Sequence, residues 1–254
     1  MNFPTTPSFR LDKTRALVTG ASKGIGLGAS IALSEAGSEV VMISRTEKDL
    51  KKIKNHICKK GNKAYYKVLD VNKTRNVANF ISKEKPFDIL INNAGTNIPS
   101  SLIDTQKKDF DYLISLNIKS VINLTRCVVK KMLLNKIKGS IINVSSQMGH
   151  VGAINRTTYC TTKFAIEGFT KSLSLELAPH GIRVNSICPT FIETPMTDPF
   201  FKDKKFKKET LLKIPLKRLG RVEDLMGCFV FLASDSSSLI TGTSLLIDGG
   251  WTAQ

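Results

Sequence analysis

No apolar run in this chain approaches the roughly 20 residues that a bilayer-crossing helix requires. Met1 to Arg10 has neither the basic start nor the apolar centre of a secretory leader. A soluble, cytoplasmic protein without membrane association is therefore expected. Cysteine is scarce. The five present, Cys58, Cys127, Cys160, Cys188 and Cys228, are odd in number, scattered and mostly inside apolar runs, which argues against both a disulfide framework and metal-ligand spacing. They read as reduced core thiols, and no metal is expected. Cys160 adjoins Tyr159, but without a histidine close in sequence it does not read as a nucleophile. Acidic residues are also few, 21 against 38 lysines and arginines, for a net charge of +17. That excess is mostly lysine spread along helical segments, with no interleaved aromatics and no nucleic-acid motif, so a solvated surface is expected rather than a nucleic-acid partner. One cluster is denser: Lys202, Lys204, Lys205, Lys207 and Lys208.

The chain contains no internal repeat. Its 254 residues, 41% of them hydrophobic, suit one α/β domain, since such units reach about 250 residues around one core. Short β-branched runs alternate with amphipathic stretches from end to end, the pattern of a parallel sheet covered by helices on both faces. Strands are expected at Arg15 to Thr19, Glu39 to Ile43, Ala64 to Leu69, Asp88 to Asn92, Ser140 to Val144, Arg183 to Ile187 and Thr243 to Ile247. Helices are expected at about Ile25 to Ala36, Glu47 to Lys60, Thr74 to Lys83, Lys107 to Leu134, Thr158 to Ala178, Lys202 to Lys213 and Val222 to Ala233. Residues 1–10, with Pro4 and Pro7, read as a flexible extension, leaving 11–254 as the domain. An irregular stretch at about 194–215, rich in Pro, Phe and Lys, follows a strand end; it is expected to form a mobile lid whose phenylalanines dry the site.

Two groups of residues carry chemistry. The first strand runs into Thr19-Gly20-Ala21-Ser22-Lys23-Gly24-Ile25-Gly26, and a helical pattern follows at once. Glycines permit a tight turn and close backbone approach, and the free amides of a helix N-terminus attract a pyrophosphate. Further on, Tyr159 and Lys163 stand four apart, so they share a helix face, with Ser145 and Ser146 ending the strand before them. A phenol of pKa about 10 is a poor base near neutral pH, and a nearby ammonium would lower that value.

The glycine spacing resembles the TGxxxGxG turn of the short-chain dehydrogenase/reductase family. Asn92-Asn93-Ala94-Gly95 resembles its NNAG motif, Asn117 stands at its helix asparagine, and Ser146 at its serine. Tyr159 and Lys163 match its YxxxK, Pro189 opens its segment after the strand, and Asp248-Gly249-Gly250 resembles its C-terminal signature. The resemblance implies a single Rossmann-type domain with seven parallel strands, NAD(H) or NADP(H), and interconversion of alcohol and carbonyl. It further implies a catalytic set of Asn117, Ser146, Tyr159 and Lys163. Tyr159 would exchange the proton, Ser146 would hold the substrate oxygen, Lys163 would lower the tyrosine pKa and bind the nicotinamide ribose, and Asn117 would tether a water.

By the same resemblance, Gly20, Ser22, Lys23, Gly24, Ile25 and Gly26 cradle the cofactor phosphates. Asp70 and Val71 border adenine, Asn93, Ala94 and Gly95 form scaffold beside the cofactor, and Pro189, Ile192 and Thr194 flank the nicotinamide. Thr190 departs from the usual Pro-Gly. At the end of the second strand an acidic residue would select NAD(H), whereas this chain has Ser44 and Arg45, with Lys23 as a second cation. NADP(H) is favoured and NAD(H) stays open, because Arg45 stacked on adenine would look the same in sequence.

Arg156 and His150, between Ser146 and Tyr159, motivate a small polar substrate that can be anionic: a polyol, a sugar acid or a hydroxy acid. Surface placement of both remains the alternative. The second reading is a 3-oxoacyl carrier-protein reductase, although His180 stands where such reductases often carry arginine. A third is a non-catalytic NADP(H)-binding sensor, against which the complete proton-transfer set speaks. A homotetramer is expected from the resemblance and from apolar surplus on the helices around 107–134 and 158–178.

Overall fold

Seven of the β-branched runs form parallel strands in a single sheet of order β3-β2-β1-β4-β5-β6-β7. The computed structural model describes residues 2–253. The strands are β1 Arg15–Thr19, β2 Glu39–Ser44, β3 Ala64–Val68, β4 Ile89–Asn92, β5 Ser140–Val144, β6 Arg183–Pro189 and β7 Ser244–Ile247. The helices are α1 Gly24–Glu35, α2 Glu47–Lys59, α3 Thr74–Lys83, α4 Lys107–Ile114, α5 Ser120–Leu134, α6 Thr157–Leu177, α7 Lys204–Leu212 and α8 Glu223–Ala233. Alternation along β1 shows why strands of this kind read as nearly continuous apolar runs. Ala16 and Val18 face a core with Leu33 of α1 and Phe229 of α8, while Leu17 faces a second core with Leu124 and Val128 of α5. Both faces of β1 are thus buried.

Strand order reverses at β1, which pairs with β2 on one side and β4 on the other. Ligand crevices of open parallel sheets form at this reversal, beyond the C-terminal strand ends. Thr19 ends β1 and Asn92 ends β4, so both motif regions reach the crevice from adjacent strands.

Two expectations need correction. The helix at 107–134 is not uniform: a π-helical turn, Ser115–Lys119, separates α4 from α5, and Asn117 lies at its centre, fully buried. Such bulges re-aim one side chain without ending the helix, and nothing in the apolar periodicity announces it. The helix expected from Lys202 starts instead at Lys204, because the Asp203 carboxylate accepts from the amides of Lys205 (2.8 Å) and Phe206 (3.1 Å) and caps it there. Residues 2–10 are exposed and lack regular structure. Ser236 Oγ donates to the Pro7 and Ser8 carbonyls (2.9 and 3.2 Å), and Arg10 reaches the Glu35 carbonyl at 3.2 Å.

The glycine turn is tightly packed beside the crevice. A Cβ at Gly26 would lie 2.5 Å from Asn93 Nδ2 and 2.5 Å from the Gly20 carbonyl oxygen, one of them rigid backbone. Gly26→Ala is expected to destabilise the protein by about 1–3 kcal/mol, read as a lower denaturant midpoint, and to weaken dinucleotide binding at the same time.

Candidate active site

The glycine turn is shaped from beneath by Asn93. Its Nδ2 donates to the carbonyls of Thr19 (2.9 Å) and Gly20 (3.2 Å), while Thr19 Oγ1 accepts from the amides of Asn93 and Ala94, both at 2.9 Å. Gly20 and Gly24 have φ values of +63° and +54°, which an L side chain seldom adopts. The turn opens on a cleft of about 290 Å³ that runs from Lys23 and Arg45 at one end to Ser146, Tyr159 and Lys163 at the other. Every residue assigned to the cofactor lines this cleft except Gly26, which is buried under Asn93. At the far end Lys23 and Arg45 are exposed and enter no ion pair among the described residues. Ser44 Oγ accepts from Thr46 N at 3.2 Å, and Glu47, the nearest carboxylate in sequence, accepts from the Tyr66 hydroxyl at 3.3 Å. Asp70 Oδ1 accepts from the Asn72 amide at 3.0 Å. These residues fit a phosphorylated dinucleotide: amides and glycines for a pyrophosphate, and two uncompensated cations where a ribose phosphate would lie.

At the other end the proton-transfer residues meet. Ser146 stands beside Tyr159 and acts on its phenol. It also donates to Gln147 Oε1 at 2.8 Å and accepts from Met148 N at 3.1 Å. Burial pushes the Tyr159 phenol up to about 12, against a smaller lowering by Ser146. Lys163 was expected to lower that value. Its Nζ instead donates to the Val144 carbonyl at the end of β5 (2.9 Å) and stands 5.6 Å from the Tyr159 ring centroid. Burial brings the Lys163 ammonium down to about 8, partly offset by Cys188 and Glu167. In this state Tyr159 is a neutral phenol, equipped to donate a proton. Asn117 does not line the cleft; its amide pairs with both backbone groups of Thr96 (3.0 and 2.9 Å) and donates to Thr162 Oγ1 at 3.1 Å. It thereby joins the strand end after β4 to α6.

Pro189, Thr190, Ile192 and Thr194 border the same end. The Thr190 hydroxyl is buried without a partner. Thr197 Oγ1 accepts from Thr194 N at 3.1 Å, fixing the turn that carries Thr194 and Met196 into the cleft. The phenylalanines expected to dry the site do not line it. Phe191, Phe201 and Phe206 pack edge-on or tilted at centroid distances of 5.6–6.0 Å, and Trp251 packs tilted against Phe191 at 5.9 Å. The segment after Thr194 is therefore anchored on its own aromatic cluster.

Sequence reasoning missed a buried group behind Lys163. Glu167, one helical turn further along α6, accepts from Ser186 Oγ (2.9 Å), Cys188 Sγ (3.3 Å) and Ser244 Oγ, and His150 Nε2 lies 3.7 Å from it. Its four-residue spacing from Lys163 was the available signal. The His150, Glu167 and Cys188 ligand-type atoms lie within 4.8 Å of one another, but three donors already occupy the carboxylate.

The comparisons agree with this geometry. A family model described as Enoyl-(Acyl carrier protein) reductase matches residues 20–252. The chain is 37% identical to the L-xylulose reductase of Mus musculus over 239 residues, covering 94% of this chain and 96% of that one. It is 38% identical to a 3-oxoacyl-acyl-carrier-protein reductase of Rickettsia felis, covering 92% and 95%. A gluconate 5-dehydrogenase from Burkholderia cenocepacia, solved in complex with NADP and tartrate, superposes with a TM-score of 0.93 at 32% identity, covering 97% of this chain and 98% of that one. With strand order, glycine turn and the Ser146, Tyr159 and Lys163 arrangement in place, this chain belongs to the short-chain dehydrogenase/reductase family of oxidoreductases.

Proposed function

We propose that the protein is an NADP(H)-dependent oxidoreductase that interconverts a secondary alcohol and a ketone on a small polar substrate: a polyol, a sugar acid or a hydroxy acid. The observation that carries this reading is one cleft with two uncompensated cations, Lys23 and Arg45, at one end and the Ser146–Tyr159 pair at the other. When bound, the nicotinamide supplies or accepts the hydride. Tyr159, a neutral phenol, gives its proton to the carbonyl oxygen during reduction. Ser146 donates a hydrogen bond to the same oxygen and stabilises the charge that develops there. Lys163 supplies positive charge toward the phenolate left behind, and Asn117 braces the backbone on which α6 rests. The activities of two relatives, L-xylulose reductase and gluconate 5-dehydrogenase, support the polar substrate, and the NADP in the latter structure supports the cofactor. The Rickettsia felis relative favours a second reading, reduction of a 3-oxoacyl thioester. A panel of ketoses, keto acids and acetoacetyl thioester, each tried with NADPH and NADH, tests the proposal; exclusive turnover of the thioester would select the second reading.

Tyr159→Phe is expected to lower kcat by about 10²- to 10⁴-fold with NADPH affinity little changed, measured by turnover and fluorescence titration. In the wild type, reduction should decline as pH rises through about 8, where Lys163 loses its proton, and Lys163→Ala should erase that limb of the profile. Arg45→Asp is expected to move the kcat/KM ratio of NADPH to NADH toward NADH by about tenfold or more, the effect of one charge-assisted contact of ~1.5–3 kcal/mol.

A homotetramer is also proposed. Ile122 and Leu134 on α5 and Phe164 and Leu175 on α6 are exposed apolar side chains on two neighbouring helices, which supports burial against further copies. Light scattering at micromolar concentration is expected to give four times the chain mass of 28.0 kDa.

A further inference from the structure

Among the described residues, Arg156 is the one buried guanidinium left without an anion. It is 8% exposed. Arg10, Arg15 and Arg218 pair with carboxylates, and the half-buried Arg183 is held by Ser237 and two carbonyls. Arg156 makes one hydrogen bond, Nη1 to the Asn155 carbonyl at 3.0 Å, and its Nε is buried with no acceptor. Its guanidinium carbon lies 5.4 Å from the Phe200 ring centroid, a cation–π contact with the segment after Thr194. That contact offsets only part of the cost of desolvating a charge, which amounts to several kcal/mol when the charge is unpaired.

Position gives this surplus charge its meaning. Arg156 is the N-cap residue of the 21-residue α6, three residues before Tyr159, and its charge acts on the phenol. The helix start has no side-chain cap and no acidic residue in its first turn. The first intrahelical bond is Cys160 N to Arg156 O at 2.7 Å, so the preceding amides and the positive end of the helix dipole add to the guanidinium. With Nη1 engaged, Nε and Nη2 have no acceptor among the described residues, and that edge of a guanidinium suits a carboxylate side-on through two parallel N–H···O bonds. A second unpartnered donor, Gln147 Nε2, belongs to the residue after Ser146.

We propose that Arg156 is the residue that binds a substrate carboxylate, so that the substrate is a sugar acid or hydroxy acid rather than a neutral polyol. This rests on the oxidoreductase reading above and narrows its substrate class. Asn155 supports the arrangement: at φ +57° it occupies the left-handed region that asparagine tolerates, and its carbonyl is held by Ser100 N at 3.0 Å as well as by Arg156.

The test compares ligands that differ in charge. D-Gluconate, L-tartrate and L-malate, with D-glucitol as the neutral counterpart of gluconate, are titrated calorimetrically into NADP⁺-saturated wild type, Arg156→Gln and Arg156→Lys. Wild type is expected to bind at least one acid more tightly than D-glucitol. Arg156→Gln should lose about tenfold or more of that preference, and Arg156→Lys should restore part of it. Without ligand, Arg156→Gln should melt no lower than wild type, because relief of the unpaired buried charge offsets loss of the Asn155 bond and the Phe200 contact. Binding of all three acids no tighter than D-glucitol, or an acid preference that survives in Arg156→Gln, overturns the proposal. Turnover followed in parallel separates the two readings. Acid binding through Arg156 with no NADP(H)-linked oxidation of any ligand keeps the anion site and rejects the proposed reaction on such substrates, whereas oxidation of D-glucitol in preference to the acids rejects the anion site alone.

Discussion

A chain of buried side-chain amides and hydroxyls holds the crevice in register. Asn92 at the end of β4 donates to Thr125 Oγ1 of α5 (2.8 Å) and to Asn143 Oδ1 of β5 (2.9 Å). Asn143 in turn donates to Thr170 Oγ1 of α6 at 2.9 Å. Two strands and two helices are thereby fixed to one another at the level where α6 presents Tyr159 and Lys163. Such networks rigidify when every member is satisfied and become costly when one is lost, since each orphaned buried group carries a penalty of about 1–3 kcal/mol. Apolar packing on both sheet faces supplies most of the cohesion but is indifferent to small sliding of a helix along a strand. The asparagines remove that freedom.

Along α6 the spacing of four governs electrostatics as well as geometry. Tyr159, Lys163 and Glu167 follow one another along the helix, from the cleft into the packed interior. Tyr159 is kept neutral by burial, Lys163 is brought down by burial and supported by Glu167, and Glu167 is surrounded by the donors of Ser186, Cys188 and Ser244. The balance explains why a lysine one turn away does not by itself yield a phenolate: loss of hydration at Tyr159 outweighs an ammonium engaged by the Val144 carbonyl.

The unsatisfied groups tell a complementary story. The buried side-chain atoms without a hydrogen-bond partner belong to Asn97, Ser145, Gln147, Arg156 and Thr190. All of them follow strand ends or flank the Ser146–Tyr159 pair in sequence, whereas the sheet interior has none among the described residues. Native folds tolerate such groups mainly where something else binds. Their concentration at one end of the sheet separates the part of the molecule optimised for cohesion from the part held open for chemistry.

Local pattern in the sequence determined a good deal. Alternating β-branched runs and amphipathic stretches decide the seven parallel strands, because period and burial act over a few residues. Thr19 to Gly26, the NNAG tetrapeptide, and Tyr159 with Lys163 carry their spacing in the chain itself, so their convergence on one crevice was legible. What stayed illegible depends on contacts between residues far apart. The π-turn around Asn117 arises from pairing with Thr96, 21 residues away, and the burial of Glu167 arises from Ser186 and Ser244. Neither the diversion of the phenylalanines onto Trp251 nor the isolation of Arg156 beneath Phe200 has a local signature. Proton affinity and charge compensation depend on dielectric surroundings and partners, and these exist only once the tertiary fold has closed around each side chain.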